Sequence, residues 1–115
     1  MRPLGELEAV VMEHLWSTDD ALTVREVLGR IDREPPLAYT TVLTVMDNLH
    51  RKGFLERVKA GRAFRYQPTK GRAEHTADLM HELLSDSGDS SITLMRFLDR
   101  MSDNEVERLK RALND

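Results

Sequence analysis

Residues 39–68 read YTTVLTVMDNLHRKGFLERVKAGRAFRYQP: an amphipathic helix, a stop, and a short two-stranded ribbon. Val42, Val45, Met46 and Leu49 recur at i, i+3, i+4 and i+7, a spacing that stacks them on one helix face. At about 100° per residue, Thr40, Thr44, Asp47, Asn48 and Arg51 fall on the opposite face. That outer face is small, hydroxylated, amide or cationic, with a single carboxylate. Lys52 in the last turn and Gly53 just beyond it stop the helix.

In the ribbon, Phe64 and Tyr66 alternate with Ala63, Arg65 and Gln67, the pattern of a half-buried strand with its aromatics inward. Before it, Leu55 and Val58 are the apolar residues, and Arg57 and Lys59 point elsewhere. Ala60-Gly61 supplies a tight turn, with Gly61 able to take positive φ. A helix with a hydrophilic outer face, then a hairpin tipped with Lys59, Arg62 and Arg65, is the pattern of a winged helix-turn-helix. Such a helix enters a major groove and the hairpin lies along the phosphates. The plain alternative is an ordinary amphipathic helix and hairpin with solvated charges.

Charge distribution weighs against that alternative. The net charge of −3 over 115 residues is a poor sum for a nucleic-acid binder. Divided, however, residues 21–72 hold eleven Lys or Arg against five Asp or Glu, and the remainder six against fifteen. From Arg51 to Arg72 there are eight basic residues and Glu56 alone on the acidic side. A polyanion responds to the local field, not to the average.

Bulk properties exclude several classes. The length fits one domain, or one small domain with an appended element. With 40% hydrophobic and 32% charged residues the chain reads as soluble and globular. No apolar run approaches the roughly 20 residues of a membrane span, so no membrane insertion is expected. The start, MRPLGELEAVV, lacks the basic-then-apolar order of a signal peptide. Cysteine is absent, which excludes disulfides and thiolate metal sites. A cytoplasmic protein is the default expectation. Catalytic readings fare poorly too. His81-Glu82 begins like HExxH, but Ser85 stands at the second ligand position. His14, His50, His75 and His81 contain no i, i+3 or i+4 pair. No nucleophile-with-base grouping or phosphate-cradling glycine loop occurs, so the expectation is no enzyme, no cofactor and no metal.

Around the central stretch, Leu7, Val10, Val11, Leu15 and Trp16 line one side of a first helix from Leu4, and Glu6, Glu8 and Glu13 its other side. Ala21 to Val24 can form one short strand. Thr23 and Glu26 are spaced as a capping box opening a second helix, with Val24, Val27, Leu28 and Ile31 as its buried stripe. Pro35-Pro36 enforces the break before the third helix. Arg25 and Arg30 are placed to approach phosphate or are simply solvated. Tyr39 bonds phosphate or packs on the second helix. Thr40, Thr41 and Thr44 can donate to phosphate and touch thymine methyls. Arg51 is the first candidate for a phosphate or guanine contact, and Asn48 shares its face. Asp47 accepts from a cytosine amine or offsets a neighbouring Arg, the second being preferred.

After Pro68 the composition changes. Ala73, Thr76, Ala77, Met80, Leu83 and Leu84 form a stripe at helical spacing, and SDSGDS at 85–90 is a polar break. Ile92, Leu94, Met95, Phe97, Leu98 and Met101 make a helix apolar nearly all round, which must be buried on several sides. Ser102 to Glu105 is a capping box for a last helix, striped by Val106, Leu109 and Leu113. Forty-odd residues cannot bury this much apolar surface alone, and a helix-turn-helix normally reads a two-fold site as a dimer. The expected dimerisation residues are Met80, Leu83, Leu84, Leu94, Met95, Phe97, Leu98, Met101, Leu109 and Leu113.

Leu7-Glu8, Val11, Trp16, Tyr39-Thr40-Thr41-Val42, Thr44, Leu49, Lys52-Gly53, Gly61-Arg62, Tyr66 and Pro68 together resemble the penicillinase-repressor family of bacterial winged-helix repressors (BlaI/MecI/CopY type), the BlaI-like branch above all. The resemblance covers essentially the whole chain. It implies a homodimeric transcriptional repressor on a dyad operator of TACA/TGTA type. It further implies release by proteolysis of the C-terminal domain after activation of a membrane sensor-protease. The matching cleavage position is Arg96-Phe97, where the family's β-lactam-responsive members have Asn-Phe. The family often carries Arg where Asn48 stands, and its copper-responsive members carry cysteine pairs that this chain lacks.

The expected architecture is therefore mainly α with a small β-hairpin wing. A winged helix-turn-helix over residues 1–70 binds double-stranded DNA, and a three-helix dimerisation domain occupies 71–115. The bound dimer would block polymerase sterically. Two rivals stay open: a ligand-gated winged-helix repressor, and a winged-helix module that binds a protein partner.

Overall fold

Among the described residues, 4–115, of the computed structural model, helix and hairpin follow the expected order. Residues 1–3, the start of the expected DNA-binding domain, lie outside them. The elements are α1 (Glu6–Trp16), α2 (Val24–Arg30), α3 (Tyr39–Arg51), β1 (Leu55–Ala60), β2 (Ala63–Pro68), α4 (Arg72–Ser85), α5 (Ser90–Asp99) and α6 (Asp103–Asn114). The class is mainly α with a two-stranded antiparallel wing. The chain divides into two compact units, one running through Thr76 and the other Ala77–Asp115.

In the first unit, local chemistry sets the helix ends. The Thr23 hydroxyl accepts from the Glu26 N–H at 3.1 Å, and the Thr23 N–H donates to Glu26 Oε1 at 3.1 Å. Two of the orphan donors at the start of α2 are thereby satisfied. Helix α3 ends at Lys52, followed by Gly53 with φ +88. At the start of α1, Glu8 accepts from the Gly5 N–H at 3.0 Å, and its other oxygen takes the Lys52 ammonium at 2.7 Å. Partial burial raises the Glu8 carboxyl, but the Lys52 and Gly5 donors outweigh it and leave it below the ordinary carboxylate value.

Val11, Met12 and Leu15 of α1, Leu22 just before α2, Val24 and Val27 of α2, Val42, Met46 and Leu49 of α3, Leu55 of β1 and Tyr66 of β2 make one buried core. Burying each such side chain is worth about 1.5–3 kcal/mol. The α3 stripe is buried as its spacing requires, although Val45 is only half-buried. In α1 the buried set includes Met12, which the sequence pattern leaves out, while Leu7, Val10 and Trp16 are only half-buried. The expected strand from Ala21 to Val24 shrinks to a single bridge. Leu22 and Tyr66 exchange backbone hydrogen bonds at 2.9 and 2.8 Å. Thr23 is already the cap of α2, which leaves one residue to pair.

The wing departs from expectation in two places. Strand side chains alternate faces. Leu55 is buried, so Arg57 shares its face and Val58 points out, exposed. Tyr66 is buried, but Phe64 is exposed near the strand tip and lies beyond the core. The register pairs Arg57 with Tyr66 and closes with Ala60 opposite Ala63. The loop is therefore Gly61-Arg62, one residue later than expected. Gly61 has φ +66 and Arg62 does not need a positive φ, as in a two-residue hairpin turn with Gly at its first central position.

Past the wing, the Trp16 Nε1–H donates to the Lys70 carbonyl at 3.1 Å. His75, in the first turn of α4, is buried between the Trp16 ring (5.4 Å) and the edge-on Phe54 ring (4.8 Å).

The second unit is different in kind. Its helices are well capped: Asp89 accepts from the Ser91 and Ile92 N–H groups at 3.0 and 3.1 Å, and Ser102 with Glu105 forms the expected capping box. Yet α5 and α6 contain no buried residue. The apolar girdle expected to be buried on several sides lies open in the single chain, Met95 being 64% exposed. No helix among the described residues is long and apolar enough to cross a membrane.

Candidate nucleic-acid interface

The outer face of α3 and the inner flank of the wing form one surface. Thr40, Thr44, Asn48 and Arg51 are exposed on α3, Tyr39 is exposed at its start, and Thr41 is half-buried. The Thr44 hydroxyl donates back to the Thr40 carbonyl at 2.9 Å, which orients its methyl and leaves its oxygen able to accept. Lys59 and Arg62 are exposed at the wing tip.

Two grooves cross this surface. One, of about 480 Å³, is lined by Leu43, Thr44, Asp47, Asn48, Arg51, Arg57, Phe64 and Tyr66. The other, of about 310 Å³, gathers Arg25, Tyr39, Leu43, Arg62 and Phe64 beside the start of α2. The geometry thus brings Thr44, Asn48 and Arg51 together in one groove, and Tyr39 and Arg62 in the other. Thr40, Thr41, Lys59 and Arg65 line neither groove.

Internal pairing sorts the cations. Asp47 holds Arg51 at 2.8 Å and Arg57 at 3.3 Å, the offsetting role preferred from the sequence. Arg57, half-buried, also stacks 4.2 Å over the Phe64 ring and lies 3.4 Å from the Tyr66 hydroxyl. It joins wing to α3 instead of facing solvent. Arg65 is bound to Glu26 at 2.9 Å and to the Ala21 carbonyl at 3.2 Å, tying the wing to the start of α2. The Glu26 carboxyl is held below its ordinary value, first by the Thr23 backbone N–H and the Thr23 hydroxyl, then by Arg65. Arg25 lies 5.1 Å over the Tyr39 ring.

Sequence reasoning missed Leu43 and Arg57. Leu43 was legible: at 100° steps it falls at the edge of the outer arc of α3, between Asp47 and Met46. Arg57 was not, because its place depends on the strand parity that Leu55 sets.

A winged helix whose third helix shows hydroxyls, amide and guanidinium to solvent beside a cationic hairpin tip defines a DNA-binding winged-helix regulator. Residues 4–115 match the penicillinase repressor family. The chain belongs to that family and is a BlaI-like transcriptional repressor, not an enzyme. It is 42% identical over 113 residues to the transcriptional regulator BlaI of Mycobacterium tuberculosis, spanning 96% of this chain and 82% of that protein. It is 24% identical over 116 residues to the penicillinase repressor of Bacillus licheniformis, spanning 97% and 90%. Among solved structures, the DNA-binding domain of the repressor BlaI superposes with TM-score 0.54 at 25% identity, covering 64% of this chain and 93% of that one. An ArsR-like regulator from Rhodococcus sp. RHA1 shares the fold, with TM-score 0.54 at 16% identity over 84% and 86%.

Proposed function

We propose that the chain works as a homodimer on a dyad operator of TACA/TGTA type. The winged helix of residues 1–70 reads DNA, and residues 71–115 hold two copies together. The observation that carries this reading is the unsatisfied apolar surface of the second unit. Met80, Leu83, Ile92, Leu94, Met95, Phe97, Leu98 and Leu113 are all exposed in one chain. A monomer rarely leaves so much contiguous hydrocarbon in water. Met80, Leu83, Leu84, Leu94 and Phe97 line a groove of about 340 Å³ there, while Met101 and Leu109 are half-buried. Two copies supply two recognition helices, and bivalent binding raises affinity without any new base contact.

On DNA, Thr40, Thr41, Thr44 and Tyr39 contact phosphate or thymine methyls. Asn48 and Arg51 face base edges, with Arg51 steadied by Asp47. Lys59 and Arg62 follow the phosphate backbone, and Arg65, paired with Glu26, fixes the wing against the start of α2. Repression is steric and ends when the second unit is cut at Arg96-Phe97 by a protease under a membrane sensor. Within one chain both residues are exposed and α5 has no buried residue, so this helix is held mainly by the proposed contact with the second copy, and the cut requires that contact to open. The cut would sever the apolar face and abolish bivalency.

A ligand-gated repressor is the second reading, favoured by the same groove, whose walls are almost wholly apolar. A ligand-induced rise in melting temperature, with loss of DNA binding, would mark it.

The deciding experiment is an anisotropy titration of a TACA/TGTA dyad duplex against a scrambled duplex at physiological salt. The dimeric repressor prefers the dyad with two chains per duplex, and its affinity falls with a log–log salt slope of roughly −0.9 per phosphate neutralised. One chain per duplex, or equal binding to both, would overturn it.

A further inference from the structure

On the DNA-facing surface, two large side chains have nothing to offer a phosphate. Leu43 is 38% exposed on the flank of α3, whereas Val42, Met46 and Leu49 of its buried stripe are at most 1% exposed. Phe64 is 38% exposed and approaches from β2. Leu43, Phe64 and the buried Tyr66 line both surface grooves, and Leu43 and Phe64 are the exposed apolar ridge common to the two. Phe64 is held in place: the Arg57 guanidinium covers one side at 4.2 Å, and the Tyr66 ring meets it at 6.5 Å. The ridge is apolar and bordered by polar and cationic groups, with Thr44, Asn48 and Arg51 on one flank and Arg25, Tyr39 and Arg62 on the other.

An isolated exposed Leu on a protein surface needs no explanation. This one stands at the edge of the exposed arc of α3 and lines the same two grooves as the Phe64 ring, with Thr44, Asn48, Arg51, Arg25, Tyr39 and Arg62 around it. In the major groove the base edges offer donors, acceptors and one hydrocarbon group, the thymine 5-methyl. We propose that Leu43, backed by Phe64, is a specificity-determining residue that reads a thymine 5-methyl group in each operator half-site. The inference rests on the operator-binding reading above. It selects one position of the half-site as thymine by apolar contact, where Asn48 and Arg51 select by hydrogen bonding.

Replacing thymine by deoxyuridine removes that methyl while keeping the pairing and the phosphates. The test uses the full chain and the dyad duplex, with each thymine exchanged in turn in both half-sites. In the wild-type chain one position should weaken binding by about fourfold per half-site, the value of one buried methyl-sized group. The Leu43→Ala chain should bind the thymine operator more weakly and lose nothing further at that position. The Leu43→Met chain, which restores apolar reach, should regain the sensitivity. Circular dichroism of both variants should match the wild type, because Leu43 contributes little to the core.

Insensitivity of the wild type at every position would overturn the proposal. So would a Leu43→Ala chain with undiminished sensitivity, which would hand the methyl contact to a threonine. A wild-type chain without preference for the dyad over the scrambled duplex would overturn the operator reading itself, and this inference with it.

Discussion

The unit that ends at Thr76 and the unit Ala77–Asp115 are built from similar helices with similar caps, yet one has a core and the other has none. In the first, α1, α2, α3 and both strands each send apolar residues to a common centre, and the largest of these are under 2% exposed. In the second, apolar residues are as dense along the chain, but none is buried. Hydrophobic content therefore does not by itself make a core. A core requires that several amphipathic faces converge, and in the second unit they do not converge within one chain. The first unit's apolar surface is used for folding, and the second's stays exposed in the single chain, where the proposed dimer would cover it.

Several changes would break or sharpen that contrast. Leu49 is fully buried on α3. Leu49→Ala should cost about 2–5 kcal/mol, read as a drop in the denaturant midpoint of the first unit. A loss under about 1 kcal/mol would mean the core is looser than its burial implies. Phe97→Asp should leave that midpoint unchanged and abolish self-association, a loss of about 2 kcal/mol or more if Phe97 anchors the interface. Sedimentation velocity reads it, and an unaltered dimer would remove α5 from the proposed interface.

The two capping boxes offer a matched pair. Thr23→Ala should cost about 1 kcal/mol in the cooperative unfolding of the first unit, since α2 is packed there. Ser102→Ala removes the same chemistry from α6, where little packing amplifies it. Its effect should appear as faster amide exchange at the start of α6, with no shift in the cooperative transition. Equal shifts from both changes would show that the second unit folds together with the first.

The smallest expected effect is on pH dependence. Glu26 has a folded pKa below its ordinary value, through Thr23 and Arg65. A depressed carboxyl contributes stability above its unfolded pKa, and that stability disappears as pH falls through the folded value. Acid titration of unfolding should therefore be shallower in Glu26→Gln than in the wild type across the range just below the ordinary carboxylate pKa. Identical acid limbs would show that Glu26 is equally bonded in the unfolded chain.

Much of this was legible from spacing alone. Helical periodicity placed Val42, Met46 and Leu49 inward and Thr40, Thr44, Asn48 and Arg51 outward. The Thr23–Glu26 and Ser102–Glu105 pairs announced two helix starts, and Gly53 and Gly61 a stop and a turn. The residues that resisted lie where two elements meet. Phe64 and Tyr66 have the same parity on the same strand, but only Tyr66 lies over the core. Arg57 was expected to point away from Leu55, and it lies against Asp47 and Phe64 because strand alternation puts it on the face that Leu55 sets.

The sequence by itself determined the order of the helices and hairpin, most helix starts and stops, the sorting of charge toward residues 21–72 and the family to which the chain belongs. The elements follow from short-range rules of periodicity, capping and turn geometry, which act within a few residues, the charge sorting from a count along the chain, and the family from the match over residues 4–115. Only the tertiary structure decided which apolar residues are sealed and which stay open, and which arginines are held by carboxylates. Burial and ion pairing depend on how far an element extends past its neighbour, and that distance is not written in the spacing of any one segment. Leu43 and Phe64, two apolar residues left exposed at the meeting of α3 and the wing, are the clearest product of that geometry.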